Sequence, residues 1–292
     1  CVMEALADSF FAFIKTIHPG ARLRLAPTPS GFLHQGNAFN FILNWLAARV
    51  HRDAPAPQLL LRIDDLDADR KRPEYVQDIF DSLAWLGLDW DGEPVFQSTA
   101  SRLPIYENIL LELRARDRLF ACRKSRRELA FFQGDYPLEF RQQGLSLETH
   151  DAAWRIRYHP DSIADNLTDF IVRRRDGVPA YQIASLADDL EMGITHIIRG
   201  ADLSASTRAQ QFIARELSVN KFLEIKILHH PLLLDNGGEK LSKSAGAASL
   251  KTMREGGHGP EPVFRLVGDS LGLAGDSART LLLALRQMTC ND

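Results

Sequence analysis

Two short segments, far apart in the chain, carry residue types that together could handle a nucleotide polyphosphate. One is Arg24-Leu-Ala-Pro-Thr-Pro-Ser-Gly-Phe-Leu-His34-Gln-Gly36-Asn37; the other is Lys240-Leu-Ser-Lys243-Ser244. In the first, an extended Pro27-Thr28-Pro29-Ser-Gly31 turn delivers His34, Gly36 and Asn37 to an apolar-periodic stretch, Phe39 to Ala48, with the pattern of a helix. A helix N-terminus suits phosphate because its amides point outward and its dipole favours negative charge, and Gly36 permits close approach. The second segment follows the turn-rich Asp235-Asn-Gly-Gly238, which puts Lys240 and Lys243 on a loop where each offers a point charge. The pair points to ATP-dependent activation of a carboxylate.

The elements that must position these groups can be traced from pattern. Leu59–Ile63 is a short apolar run after Pro55 and Pro57, the pattern of a buried parallel strand, and Asp64 and Asp65 stand at its C-terminal end. Open α/β sheets bind ligands at that edge. Pro73 opens an amphipathic helix from Glu74 to Leu86 that Gly87 closes, and a second helix runs from Ile105 to Arg116. An irregular insertion follows over residues 118–165. Regular structure resumes with a strand at Asp169–Arg173, an Asp176-Gly177 turn and a strand at Ala180–Ala184, then a helix from Ser185 to Met192. A strand at Thr195–Arg199, a helix at Ser206–Leu217 and a strand at Ile225–His229 complete the pattern, with one helix near the end, Ser277–Gln287.

This alternation predicts an α/β fold: a doubly wound parallel sheet split by an insertion, with a short C-terminal helical segment. The expected parts are residues 1–117, the first half of the sheet domain with an N-terminal helix; 118–165, the connective insertion; 166–235, the second half; and 236–292, the lysine loop and helical tail. At 292 residues, 45% hydrophobic and 25% charged, the chain can bury a sizeable core. Its apolar runs stop short of a membrane span, and its three cysteines form no disulfide framework, so a cytoplasmic protein is expected. A net charge of -3 argues against indiscriminate nucleic-acid binding. Arginines nevertheless crowd residues 114–127, 155–157 and 173–175, leaving a solvated face and a phosphate-tracking surface both open.

Along most of its length the chain resembles the catalytic core of class I glutamyl-tRNA synthetases, whose fold is a Rossmann-type domain. Besides the two segments above, the resemblance rests on Leu61-Arg-Ile-Asp64-Asp-Leu-Asp67, Trp85-Leu-Gly-Leu-Asp-Trp90, Ala180-Tyr181-Gln-Ile-Ala184 and His196-Ile-Ile-Arg199-Gly-Ala-Asp202-Leu, in order and in register. Full members continue into a helical anticodon-binding region, whereas this chain runs only to Asp292. That layout is similar to the truncated glutamyl-queuosine tRNA(Asp) synthetase branch. The resemblance implies a ligase that activates L-glutamate with ATP and Mg2+ in the absence of tRNA, and transfers it to queuosine at position 34 in the anticodon stem-loop of tRNA-Asp. A monomer is expected.

By the same resemblance, Arg24 and Arg199 hold the glutamate carboxylates, Asp64 receives the ammonium, and Ala26, Thr28 and Tyr181 line the pocket. Asp64 stands where the family usually carries glutamate, one methylene shorter. Pro27, His34, Gly36, Asn37, Lys240, Lys243 and Ser244 contact ATP, with His34, Asn37 and Lys243 as the catalytic group. His229 and His230 are expected to pack or cap a strand end. Many relatives of the truncated branch bind zinc in the insertion through Cys-x-Cys, a tyrosine and a further cysteine. Here Cys122 and Tyr136 remain, but Lys124 and Phe140 occupy the other two positions. One thiol and one phenol do not make a closed zinc site, so no metal is expected, and Phe131, Phe132 and Phe140 are expected to form an apolar cluster. Two competing readings keep the residues but change the role: activation with another acceptor, such as another tRNA, a small molecule or a carrier protein, or a non-catalytic RNA-binding or regulatory paralogue.

Overall fold

The computed structural model describes residues 2–132, 136–159, 167–233 and 249–289. In chain order these form α1 (Val2–Ile14), β1 (Arg22–Leu25), α2 (Gln35–Arg49), β2 (Gln58–Ile63), α3 (Pro73–Leu86), β3 (Val95–Phe96), α4 (Leu103–Ala115), β4 (Leu119–Cys122) and α5 (Arg126–Leu129). They continue with β5 (Ala153–Ile156), β6 (Phe170–Arg173), α6 (Tyr181–Glu191), β7 (His196–Gly200), α7 (Ser204–Glu216), α8 (Asn220–Leu223), β8 (Lys226–His230), α9 (Leu250–Glu255), α10 (Glu261–Leu271) and α11 (Ala278–Thr289). Packing divides the chain into two units, one made of residues 1–98, 193–203 and 225–292, the other of 99–192 and 204–224.

The first unit is built on parallel strands. β1 pairs with β2 and β2 with β3, while β7 pairs with β8, all in parallel. The two ladders meet where the Thr195 amide donates to the Arg22 carbonyl at 2.9 Å, so β1 and β7 lie side by side. The chain leaves β1 toward β2 on one side and returns through β7 on the other. That reversal is the switch point at which such sheets open a crevice.

α2 packs on β1 and β7 and is covered by α10 and α11, which explains why its apolar residues run all the way round. Phe39, Phe41, Ile42, Leu43 and Leu46 are buried there. Two amides fasten it to the sheet: Asn40 Nδ2 and Asn44 Nδ2 each donate to the Ile198 carbonyl at 3.1 Å. At its other end Arg286 of α11 donates to the carbonyls of Arg49 and Val50, closing the helix C-terminus.

Three local expectations need correction. Ala180–Ala184 is not a strand: the chain turns at Gly177, and Tyr181 opens α6 instead. The apolar alternation misled because Ile183, Ala184, Leu186 and Ala187 make the buried face of a helix. The stretch 118–165 is not wholly irregular. β4 and β5 lie within it and pair with each other and with β6 into an antiparallel sheet in the second unit, each too short to stand out among charged neighbours. The expected helix near the end is α11, but the tail also holds α9 and α10, which the pattern missed. Gly268 broke the pattern of α10, yet it is needed because a Cβ there would lie 2.6 Å from the Leu273 carbonyl.

At the opposite end of the sheet from the crevice, the His196 ring is buried against Phe13, with Nε2 on the Thr16 carbonyl and Nδ1 on the Thr195 hydroxyl. Burial pushes its pKa down from 6.5 to about 4, and nearby His18, Lys226 and His51 add to the shift. Between those pH values the unfolded chain takes up a proton that the folded chain refuses. Stability is therefore full above about pH 6.5 and falls as pH drops toward 4, by up to about 3 kcal/mol from this group. Urea unfolding across that window is expected to show this slope in the wild type, and His196→Asn is expected to flatten it.

Candidate active site

The crevice is walled by the C-terminal ends of β1, β2 and β7. Arg24 on β1 and Arg199 on β7 are 4% and 3% exposed, guanidinium groups kept almost wholly out of water. Such burial is costly for an arginine that serves only as surface. The backbone beyond β1 turns alongside β2: the Asp64 amide donates to the Pro27 carbonyl at 2.9 Å, which sets Ala26, Pro27 and Thr28 beside Asp64. Ala26 is half-buried, and Thr28 is exposed. Gly200 is the last residue of β7, and without a Cβ it leaves room for the Asp202 carboxylate to lie against it.

Asp64 is not alone. Arg62, wholly buried, grips it in a two-point ion pair, Nε to Oδ1 at 2.6 Å and Nη2 to Oδ2 at 3.2 Å. Residues i and i+2 of an extended strand face the same way, so Arg62 could have been found from its spacing to Asp64. It passed unnoticed as part of an apolar run. Asp65 is equally committed, accepting from Lys71 Nζ, the Ser98 amide and the Ser98 hydroxyl.

His34 is the N-cap of α2. Its Nδ1 accepts from the Gly36 amide at 3.1 Å, and Asn37 Oδ1 accepts from the His34 amide at 3.0 Å, a reciprocal capping box. The Asn37 and Ala38 amides bond back to the His34 carbonyl. Most first-turn amides thus already have partners within the helix. Because Nδ1 accepts, the imidazole proton sits on Nε2. Lys240, Lys243 and Ser244 lie outside the described residues. On one side of them, His230 on β8 receives Asn40 of α2 at 3.1 Å; on the other, Ser249 forms a backbone bridge to His34, and the Leu250 amide donates to the Leu33 carbonyl at 2.8 Å. Burial also lowers the His230 pKa, and the ring's packing on Phe39 makes it a strand-end cap.

Arg24, Ala26, Pro27, Thr28, His34, Gly36, Asn37, Asp64 and Arg199 therefore belong to one unit, on elements that converge on one sheet edge. Tyr181 belongs to the second unit, at the first position of α6, and is 38% exposed. In that unit Cys122 is buried, and its sulfur accepts from the Tyr136 hydroxyl at 3.1 Å. Phe140 packs there edge-on to Tyr136, and Lys124 Nζ sits over the Phe140 ring at 4.5 Å, so the residues at the altered positions pack on each other. Phe132 joins edge-on to Phe140, but Phe131 is 85% exposed and does not belong to the expected cluster. No group of three or more His, Cys, Asp or Glu among the described residues could hold a metal ion.

Many of the crowded arginines are structural. Arg155 is buried with its guanidinium on the Tyr136 ring and the Asp169 carbonyl; Arg157 pairs with Asp117, Arg118 with Glu216 and Arg174 with Asp176. Arg173, Arg174 and Arg175 line an open groove of about 840 Å³, but Glu148, Asp151 and Asp176 share its walls.

A parallel sheet with a capped helix at its switch point and two buried arginines at the crevice is the framework of a class I synthetase catalytic domain. The model for the catalytic domain of class I tRNA synthetases of the E and Q type matches residues 21–141 and 147–284, and the chain belongs to that family of aminoacyl-tRNA ligases. Within it, a glutamyl-Q tRNA(Asp) synthetase of Parasynechococcus marenigrum is 40% identical over 90% of this chain and 87% of its own length. A glutamate–tRNA ligase 2 of Maricaulis maris is 38% identical over 82% of this chain but only 53% of its own. The fold matches a glutamate tRNA ligase of Elizabethkingia meningosepticum, crystallised with its amino acid, at TM-score 0.71 and 23% identity, over 90% of this chain and 64% of that one. No helix among the described residues is long and apolar enough to cross a membrane.

Proposed function

We propose that this chain condenses L-glutamate with ATP to glutamyl-adenylate and pyrophosphate without tRNA, and then transfers the glutamyl group to queuosine at position 34 of tRNA-Asp. The observation that carries this reading is the convergence of two buried arginines and Asp64 on one sheet edge with a histidine-capped helix. The relatives named for that activity match over most of both chains, which supports the choice of acceptor. Arg24 and Arg199 take the two carboxylates through paired donors. Asp64, already paired with Arg62, receives the ammonium as a carboxylate acceptor. Ala26 and Thr28 line the pocket.

In the first step a carboxylate oxygen of glutamate attacks the α-phosphorus. An O–P bond forms, the P–O bond to the β-phosphate breaks, and the electron pair leaves with pyrophosphate. No bond to the enzyme forms, so acceleration comes from placement and from stabilising the accumulating charge. With Nδ1 accepting from the Gly36 amide, His34 acts as a donor through Nε2, and Asn37, its oxygen held by the His34 amide, donates through Nδ2. Pro27 and Gly36 shape the approach, and Lys240, Lys243 and Ser244 meet the departing pyrophosphate. Mg2+ supplies charge neutralisation on the phosphates. It fits best as an ion carried in by them, since the described residues form no carboxylate cage. In the second step a queuosine hydroxyl attacks the glutamyl carbonyl, and AMP leaves from the broken C–O bond.

Pyrophosphate exchange into ATP, run with L-glutamate and no tRNA against glutamine and aspartate, is the test. Exchange with glutamate followed by label transfer to queuosine-containing tRNA-Asp is expected. Exchange without transfer would assign another acceptor, and none with any amino acid would overturn tRNA-independent activation. Lys243→Ala is expected to lower the exchange rate by about 100-fold or more while the melting temperature holds.

A further inference from the structure

The strap that carries His34 is held by a charge pair, its carboxylate buried and its guanidinium half-buried, that the adenylation reading leaves unused. Asp78, on the inner face of α3, is 2% exposed. Its Oδ2 accepts the Leu33 amide at 2.8 Å, one residue before His34, and its Oδ1 accepts Arg254 Nη2 at 2.8 Å. The same guanidinium donates through Nη1 to the Ser82 hydroxyl, one turn further along α3, at 2.7 Å. Arg254 stands on α9, whose N-cap is Ser249, the residue bridged to His34. The Leu250 amide closes the circuit on the Leu33 carbonyl. Leu33 therefore has both backbone polar groups fixed, one by α3 and one by α9.

We propose that Asp78 and Arg254, steadied by Ser82, are positioning residues that lock the His34 strap to the start of α9 and thereby aim the His34 ring. This rests on the reading of His34 as the group that meets ATP. Neither side chain needs to touch substrate. A buried carboxylate that accepts from a backbone amide and a guanidinium at once fixes both in space, because releasing either leaves charge without a partner in a dry site. A packing contact alone would not require two donors to meet on Asp78 at 2.8 Å while a third binds Ser82 at 2.7 Å. The effect on chemistry follows from placement, since misplacing a reacting group by about 1 Å can cost on the order of 100-fold in rate.

Two variants and two readouts test the proposal. Arg254→Met keeps an unbranched apolar stem and removes the donors; Arg254→Lys restores charge without the fork. In Arg254→Met the exchange rate is expected to fall about 10- to 100-fold, with the KM for glutamate within about twofold of wild type and partial rescue in Arg254→Lys. In a double-mutant cycle, His34→Ala is expected to cost far less in the Arg254→Met background than in the wild type. Losses that simply multiply would overturn the brace. Nitrogen-15 NMR of His34 gives the second readout, independent of turnover. Wild type is expected to show Nδ1 unprotonated, and folded Arg254→Met a shift toward the tautomer average. An unchanged spectrum would refute the proposal even if the protein shows no exchange. Wild-type exchange that survives His34→Ala would refute the reading of His34 instead, while the NMR arm still decides the brace.

Discussion

With Arg199 changed to lysine, kcat/KM for glutamate in pyrophosphate exchange is expected to drop about 100-fold, near 2.7 kcal/mol, while the KM for ATP stays within about twofold. Lysine keeps the positive charge at the end of β7, so a simple loss of charge is not what the experiment measures. It removes the planar fork that can donate two parallel bonds to one carboxylate. Arg199 is 3% exposed, so water offers little replacement for a lost donor. An equal rise in the KM values for glutamate and ATP would show that the residue supports the crevice in general. No change in either would remove Arg199 from the pocket.

Arg62→Met is expected to lower the free energy of unfolding by about 3–5 kcal/mol at neutral pH, because it removes two charged donors from a carboxylate buried at a strand end. Arg62 has no exposed surface and Asp64 6%, and the two are joined at two points. The double variant Arg62→Met/Asp64→Leu is expected to recover much of that loss, since replacing both members of a buried pair with apolar groups is often neutral. It is also expected to lose glutamate-dependent exchange. Recovery of stability without recovery of function would separate the structural duty of the pair from the role of Asp64 toward the ammonium. Urea titration of the three proteins measures the first, and exchange measures the second.

The arginine partner of Asp64 exposes what the sequence conceals about this site. The family resemblance singled out Arg24, Asp64, Arg199 and His34, and the turns, glycines and strand ends beside them that located each one survived into the structure. The strands Leu59–Ile63 and Thr195–Arg199 and the helix closed by Gly87 were likewise visible, since period and punctuation agree there. Arg62 was hidden inside an apolar run. Asp78 and Arg254 were hidden by distance, as their meaning lies in a contact across 176 positions that no local pattern encodes. The mistaken strand at Ala180–Ala184 has a different cause: five residues are too few to tell a helix face from an alternating strand. The capping role of His34 could have been anticipated, because a side chain with an acceptor followed three residues later by an amide is a capping pattern.

The cover over α2 bears on how the protein is made. Phe39, Phe41 and Trp45 belong to a helix near the beginning of the chain, yet part of their shelter is α10 and α11, and the carbonyls at the helix end are closed by Arg286. During synthesis these aromatic side chains emerge long before the residues that bury them. The nascent chain must carry an incompletely covered, apolar segment until α10 and α11 have left the ribosome. Completion of the cover over the helix that presents His34 thus waits on α10 and α11, which follow it far along the chain.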